Sequence, residues 1–152
     1  MGHIRVSVKA IIIRDGSILL TKNRDQHGVF YLLPGGGQNP GETVADALRR
    51  ECLEELGARV EPGPLLFVRD YLSENHEFAG EGEDVHQVEL MFAAVPQGEP
   101  AAHAASSPDS WQTGVEWVPL NDLGNCRLYP AVLKALLAEP LPEGALYMGD
   151  VN

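Results

Sequence analysis

The sequence predicts a mixed α/β fold in one domain over residues 1–152, on three observations. Runs rich in β-branched residues recur between turn signals, a well-capped helix follows a glycine-rich turn, and a second helical pattern closes the chain. A length of 152 residues, 44% of them hydrophobic, suits one globular domain with its own core and argues against disorder.

The elements follow in order. Ile4–Ile13 reads as a strand, Arg14-Asp15-Gly16 as an Asp-Gly turn, and Ser17–Thr21 as the returning strand of a hairpin. Asn23–Gly28 is a polar loop, and Val29–Leu33 a short strand. From Pro34 to Gly41 the chain is too rich in Gly and Pro to hold regular structure. Thr43 opens a helix as N-cap, with Asp46 three residues on resembling a capping box and Gly57 as the stop. Further strands are expected at Leu65–Leu72, Val85–Val95 and Val115–Val118, and a closing helix at Pro130–Ala138. Two long loops, Ser73–Asp84 and Pro96–Ser110, stand out, and loops of that length are usually functional. The tail Pro140–Asn152 carries Leu141, Leu146, Tyr147 and Met148, which suit packing on the core or on a partner chain.

Composition narrows the function. The apolar runs, such as Ala10–Ile13 and Met91–Val95, fall far short of the ~20 residues that cross a bilayer, and no signal peptide opens the chain. Cys52 and Cys126 form neither a disulfide framework nor a metal knuckle. A cytoplasmic protein without a membrane partner is expected. The net charge is −11, and no Lys or Arg lies between Arg69 and Arg127. Such a surface repels nucleic-acid polymers and anionic membranes. A small phosphorylated ligand remains compatible only if something positive bridges the two anions.

The helix supplies a place for that bridge. At 100° per residue, with Glu51 as zero, Glu54 lies near about −60° and Glu55 near about +40°. Leu48, Cys52, Ala45 and Leu56 cluster on an adjoining apolar flank. Like charges at i,i+3 and i,i+4 each cost roughly 0.2–0.5 kcal/mol when solvated. A Glu-rich solvated face is the commoner origin of such a pattern, but this helix has no Lys, and a glycine turn feeds its N-terminus. Three close carboxylates suit a hard divalent ion such as Mg²⁺ or Mn²⁺, which shares its oxygen shell with phosphates.

Gly36, Glu42 and the run Arg50-Glu51-Cys52-Leu53-Glu54-Glu55-Leu56-Gly57-Ala58 resemble the Nudix box, GX5EX7REUXEEXGU with U a bulky aliphatic. All fixed positions over residues 36–58 match, a coincidence expected on the order of once in a million chains or fewer. Cys52 and Ala58 are smaller than the usual aliphatics at U. The opening hairpin, the strand into Leu33-Pro34-Gly35-Gly36 and the late Glu116-Trp117-Val118-Pro119-Leu120 also resemble Nudix domains.

The resemblance implies an α/β/α sandwich around a mixed sheet. It also implies hydrolysis of the diphosphate linkage of a nucleoside diphosphate derivative, with bound Mg²⁺ or Mn²⁺. The substrate is left open among nucleoside triphosphates, ADP-ribose-like sugars and dinucleoside polyphosphates, and a homodimer is compatible because family members are often dimers. By the same resemblance Glu54 and Glu55 are the principal metal ligands, and Glu51 is a further ligand or the base for the attacking water. Gly35 offers a backbone carbonyl to the metal, Arg50 orients the glutamates, and Gly36 and Glu42 support the loop–helix junction.

Outside the box the candidates are an additional acid, Glu89 or Asp109, with Glu116 nearby, and substrate contacts from Arg24 and Tyr31. A solvent-facing strand acid is the competing reading for Glu89, and core packing for Tyr31 and Phe30. His3, His27, His76, His86 and His103 have no metal spacing and read as non-catalytic, Trp111 and Trp117 as anchors, and Cys52 as a buried small hydrophobe. The alternative to an enzyme is a non-catalytic nucleotide-binding or regulatory module on the same fold. The presence of Glu51, Glu54 and Glu55 argues against it. A carboxylate-bridged helical bundle lacks its long helices, and a P-loop lacks its Gly-Lys-Ser/Thr.

Overall fold

The structure is a computed structural model that describes residues 2–101 and 112–152. In chain order the elements are β1 (Ile4–Ile11), β2 (Ile13–Arg14), β3 (Ser17–Asp25), β4 (Gly28–Leu32), β5 (Gly35–Gly37), α1 (Val44–Leu56), β6 (Arg59–Leu72), β7 (His86–Gln97), β8 (Gln112–Pro119), β9 (Leu128–Tyr129), α2 (Leu133–Leu136) and β10 (Leu146–Asp150). They build two mixed sheets. One runs β10-β6-β7-β1-β5; the other runs β2-β3-β4-β9, with β8 on the far side of β3.

Strand alternation explains the layers. On β1 and just past it, Val8, Ala10 and Ile12 point to one side and Ile11 to the other; on β3, Leu19 opposes Ile18 and Leu20. The first set joins Ala47, Leu48, Cys52 and Leu56 of α1 in one buried cluster. The second joins Phe67, Met91, Leu133 and Leu137 in another, so α2 covers the opposite side. Helix, sheets and helix thus form the expected α/β/α layering.

Several boundaries differ from the sequence reading, each for a local reason. β3 continues through Asn23 to Asp25, because Asn23 is buried and its amide donates to Thr21 Oγ1 at 3.1 Å; the polar loop shrinks to a turn. β6 begins at Arg59, not Leu65, carrying the Pro62-Gly63-Pro64 interruption as register shifts against β7. The closing helix is only Leu133–Leu136, since Pro130 opens a turn in which Leu133 N donates to Pro130 O at 3.1 Å. The tail becomes β10, parallel to β6.

One difference bears on the site. Gly35–Gly37 is a strand, paired antiparallel to β1 with Lys9 opposite Gly35 and Ser7 opposite Gly37. The approach is so close that a Cβ on Gly35 would stand 2.0 Å from the Val8 carbonyl oxygen. Glycine is therefore required there, and the supposed irregular loop becomes a sheet edge beneath α1.

Candidate active site

Helix α1 starts where Thr43 Oγ1 accepts from Asp46 N at 3.1 Å and stops at Gly57, whose N–H reaches Leu53 O at 3.0 Å. The caps fix its rotation over β5. Ala47, which lies between Glu51 and Glu54 on the wheel, is fully buried, so the acidic arc faces inward. Ala45, expected on the apolar flank, is only half-buried. A solvated glutamate face is excluded.

Each glutamate has a distinct anchor. Glu55 is 3% exposed and accepts from Gly35 N at 3.1 Å. The Glu51 carboxylate lies against Gly36, where an added Cβ would stand 2.5 Å from Oε2. Glu54 is the most open of the three and meets Arg50 Nη1 at 3.5 Å. Arg50 is the hub. It grips Glu42 through two bonds of 2.7 and 2.9 Å, donates to Gly37 O at 2.9 Å and reaches Glu51 Oε1 at 3.0 Å. Its fork holds the Glu42 carboxyl down at about 2, helped by Asn39 N–H, while Glu42 raises the Arg50 guanidinium above its ordinary value. Gln38 Nε2 donates to Glu42 O at 2.8 Å, tying the loop to the helix entry.

Among the described residues no three acidic, histidine or cysteine side chains close to coordinating geometry. Glu51 and Glu54 turn to Arg50, and Glu55 turns to the Gly35 amide. The donor set still fits a hard divalent cation: inward-facing carboxylates, the Gly35 carbonyl, no sulfur or imidazole, and a Gly36 cradle that any Cβ would fill. Arg50 is the cation paired with Glu42, Glu51 and Glu54. Lys9 Nζ donates to Leu33 O at 3.3 Å and to Gly35 O at 3.5 Å, on the glycine strand's other face.

A cavity of about 330 Å³ opens beyond Gly35 and Gly36. Its lining includes Arg5, Ser7 and Lys9 of β1 and the rings of Tyr71, Phe78 and Tyr129. Glu89 also lines it and is 2% exposed, so it is not a solvent-facing acid. It stands opposite Arg69 in the β6–β7 register and accepts from Arg69 Nε at 3.1 Å and from Gln87 Nε2 at 3.1 Å. Arg69 reaches further to Val151 O at 2.7 Å and Asn152 Oδ1 at 3.2 Å, tying the tail to the cavity.

The other candidates lie elsewhere. Arg24 is exposed on β3 and is not among the lining residues. Tyr31 packs on the core and donates to Glu116 at 2.7 Å; burial and that carboxylate push its hydroxyl up to about 12. Asp109, His103 and Trp111 lie outside the described residues. His76 and His86 pair with Asp150 and Asp70 at 2.6 and 2.9 Å. Cys52 is fully buried, and burial pushes its thiol up. Trp117 packs beside the α1 cluster with the Arg14 guanidinium 4.4 Å over its ring, and Phe30 lies edge-on to Tyr129 at 6.1 Å.

Sequence reasoning missed Arg5, Lys9 and Arg69. The alternation Arg5-Val6-Ser7-Val8-Lys9 carried a readable signal, a polar face with two cations in an acidic chain. Arg69 had none, because only the register brings it to Glu89.

Comparison with known proteins completes the description. The family model for the NUDIX domain matches residues 3–139. A nucleoside triphosphatase NudI of Escherichia fergusonii is 33% identical over 138 residues, which cover 87% of this chain and 94% of that one. The crystal structure of a MutT NUDIX hydrolase from Burkholderia pseudomallei superposes with a TM-score of 0.68 at 32% identity, covering 88% of this chain and 96% of that one. A NUDIX hydrolase from Nitrosomonas europaea reaches a TM-score of 0.71 at 18% identity over 90% of this chain and 88% of that one, a likeness of fold alone.

Proposed function

This chain belongs to the NUDIX family and is a pyrophosphohydrolase of nucleotide derivatives; on that premise we propose that it cleaves the diphosphate linkage of a nucleoside triphosphate, as one domain, with a divalent cation. The observation that carries the reading is the inward-facing glutamate arc of α1 seated on a glycine strand, whose Gly35 and Gly36 also line a basic and aromatic cavity. The name of the Escherichia fergusonii relative favours the nucleoside triphosphate over ADP-ribose-like and dinucleoside substrates.

Glu51, Glu54, Glu55 and the Gly35 carbonyl would hold Mg²⁺, or Mn²⁺ in its place. Bound there, the ion supplies charge neutralisation on the diphosphate and a more acidic water. The chain's own groups do the rest. Arg50 holds Glu51 and Glu54 in orientation while taking its own position from Glu42 and Gly37 O. Glu51 and Glu54 provide the base that accepts the proton of the attacking water. Gly36 leaves room for the Glu51 carboxylate. Lys9 places positive charge beside the developing phosphoryl oxygens. Tyr71, Phe78 and Tyr129 give a base apolar rings to stack on, and Gln87 with the Arg69–Glu89 pair offers polar contacts at the same end. Glu89 is thereby a substrate-side acid already neutralised by Arg69, and Asp109 is left as the other downstream acid. Arg24 and Tyr31 have no part in this reading.

The test is a panel of nucleoside triphosphates, ADP-ribose and dinucleoside polyphosphates with Mg²⁺ or Mn²⁺, read as the phosphorus products released. Nucleoside triphosphates turned over fastest, with cation required, is the expected result. Turnover of none of them, or turnover undiminished in chelator, overturns the reading.

A further inference from the structure

Beside Gly35 and Gly36 the cavity is lined by a row of β1 side chains, of which the hydrolytic reading uses only Lys9. Arg5, Ser7 and Lys9 sit at alternate positions of β1, so their side chains share one face, and all three line the cavity beside Gly35 and Gly36. Arg5 makes no hydrogen bond or ion pair among the described residues, in a chain with 22 acids against 11 basic residues. Ser7 is 2% exposed, and its hydroxyl has no hydrogen-bond partner among the described residues. The neighbouring acids are committed elsewhere: Glu42 to Arg50 at 2.7 Å and Glu89 to Arg69 at 3.1 Å. The glycine strand beside this row adds no side chain. A Cβ on Gly37 would stand 2.7 Å from Arg5 Nε, so the guanidinium lies flat against bare backbone.

An uncancelled guanidinium, an unpartnered hydroxyl and an ammonium on one strand face make a site for an anion. Arg5 and Lys9 are four residues apart, about 13 Å along an extended strand, a span that one phosphate group cannot bridge and a phosphoryl chain can. We infer that Arg5, Ser7 and Lys9 form a rail for a phosphoryl group beyond the scissile diphosphate, so the site selects polyphosphate chains of three or more groups over diphosphates. Lys9 takes the group nearest the glycine strand, Ser7 donates its hydroxyl to the middle of the chain, and Arg5 holds the far phosphoryl oxygens in a bidentate fork. The inference rests on the hydrolytic reading for the place of the scissile bond, but not for its test.

The experiment measures binding without turnover of a nucleotide. Inorganic tripolyphosphate and pyrophosphate are titrated calorimetrically into the wild-type chain, Arg5→Ala, Arg5→Lys and Ser7→Ala, all at saturating Mg²⁺. Wild type should bind tripolyphosphate about tenfold more tightly than pyrophosphate, as expected for one charge-assisted bidentate contact. Arg5→Ala should bring that ratio close to one, Arg5→Lys should keep part of it, and Ser7→Ala should lower it less than Arg5→Ala. Arg5 has no partner to lose, so its variants should unfold with wild type; thermal melts check this. A wild-type ratio of one, or a ratio unchanged in Arg5→Ala, overturns the rail. Failure of wild type to hydrolyse any nucleotide would overturn the proposed function and leave these ratios readable.

Discussion

Replacing Gly36 by alanine should disable the enzyme without unfolding it. The added Cβ would lie 2.5 Å from Glu51 Oε2, 2.6 Å from its Cδ and 2.8 Å from Oε1, all at the free end of one flexible side chain. Ordinary contact needs about 3.4 Å, so the carboxylate must retreat by roughly 0.9 Å. A displacement near 1 Å in a catalytic group can cost on the order of 100-fold in kcat. Stability should change little, because Gly36 has no positive φ and alanine lowers the entropy of the unfolded chain by roughly 0.4–1 kcal/mol. Gly35→Ala is the contrasting control. There φ is 138°, and the new Cβ would meet backbone, 2.0 Å from Val8 O and 2.8 Å from Lys9 Cα. Neither can yield without opening the β1–β5 pairing, so a loss of about 3 kcal/mol or more is expected. Urea unfolding and steady-state kinetics on both variants separate the cases. Wild-type turnover in Gly36→Ala, or wild-type stability in Gly35→Ala, would refute the reasoning.

Three further outcomes are expected. Glu54→Gln should stay folded and lose roughly a thousandfold in turnover at saturating Mg²⁺; near-normal rates would remove Glu54 from the centre. Mg²⁺ should raise the melting temperature relative to chelator, because binding to the folded state at about 100 times Kd adds about 2.7 kcal/mol; identical melts at millimolar ion would contradict the assigned ligands. Glu42 has its carboxyl held at about 2 by Arg50, below the ~4.3 of an unfolded glutamate. A depressed folded pKa contributes stability that is present above the unfolded value and fades as pH falls toward 2. Urea midpoints should therefore show wild type more stable than Glu42→Gln at pH 7, with the gap closing between pH 5 and pH 2; a gap independent of pH would assign the stabilisation to something other than that charge.

Much of the site was legible because it is local. Thr43, Asp46 and Gly57 delimit α1, and the glutamate spacing then places the three carboxylates on one arc by helix geometry alone. What escaped was set by contacts distant in sequence. A triplet of glycines reads as a loop, yet Gly35–Gly37 is a strand because β1 lies within reach of its bare backbone. The tail had no strand signal, but Tyr147 and Asp150 pair alongside Val68 and Asp70 of β6, and Asp150 is fixed by Asn75, His76 and Leu72 N, which hold its carboxyl at about 2. Glu89 looked equally suited to solvent and to the site; the β6–β7 register, which sets it opposite Arg69, decides that it is buried at the cavity. Ala47 taught the same lesson on the helix, since its full burial shows that the acidic flank faces the protein.

The most direct measurement of the central claim is an anomalous difference map from crystals soaked with Mn²⁺ and a non-hydrolysable nucleoside triphosphate. A manganese peak bounded by Glu51, Glu54, Glu55 and the Gly35 carbonyl, with the diphosphate on its open side toward the cavity, is the predicted result. A bound nucleotide with no manganese at those oxygens, or manganese held by other side chains, would contradict the account.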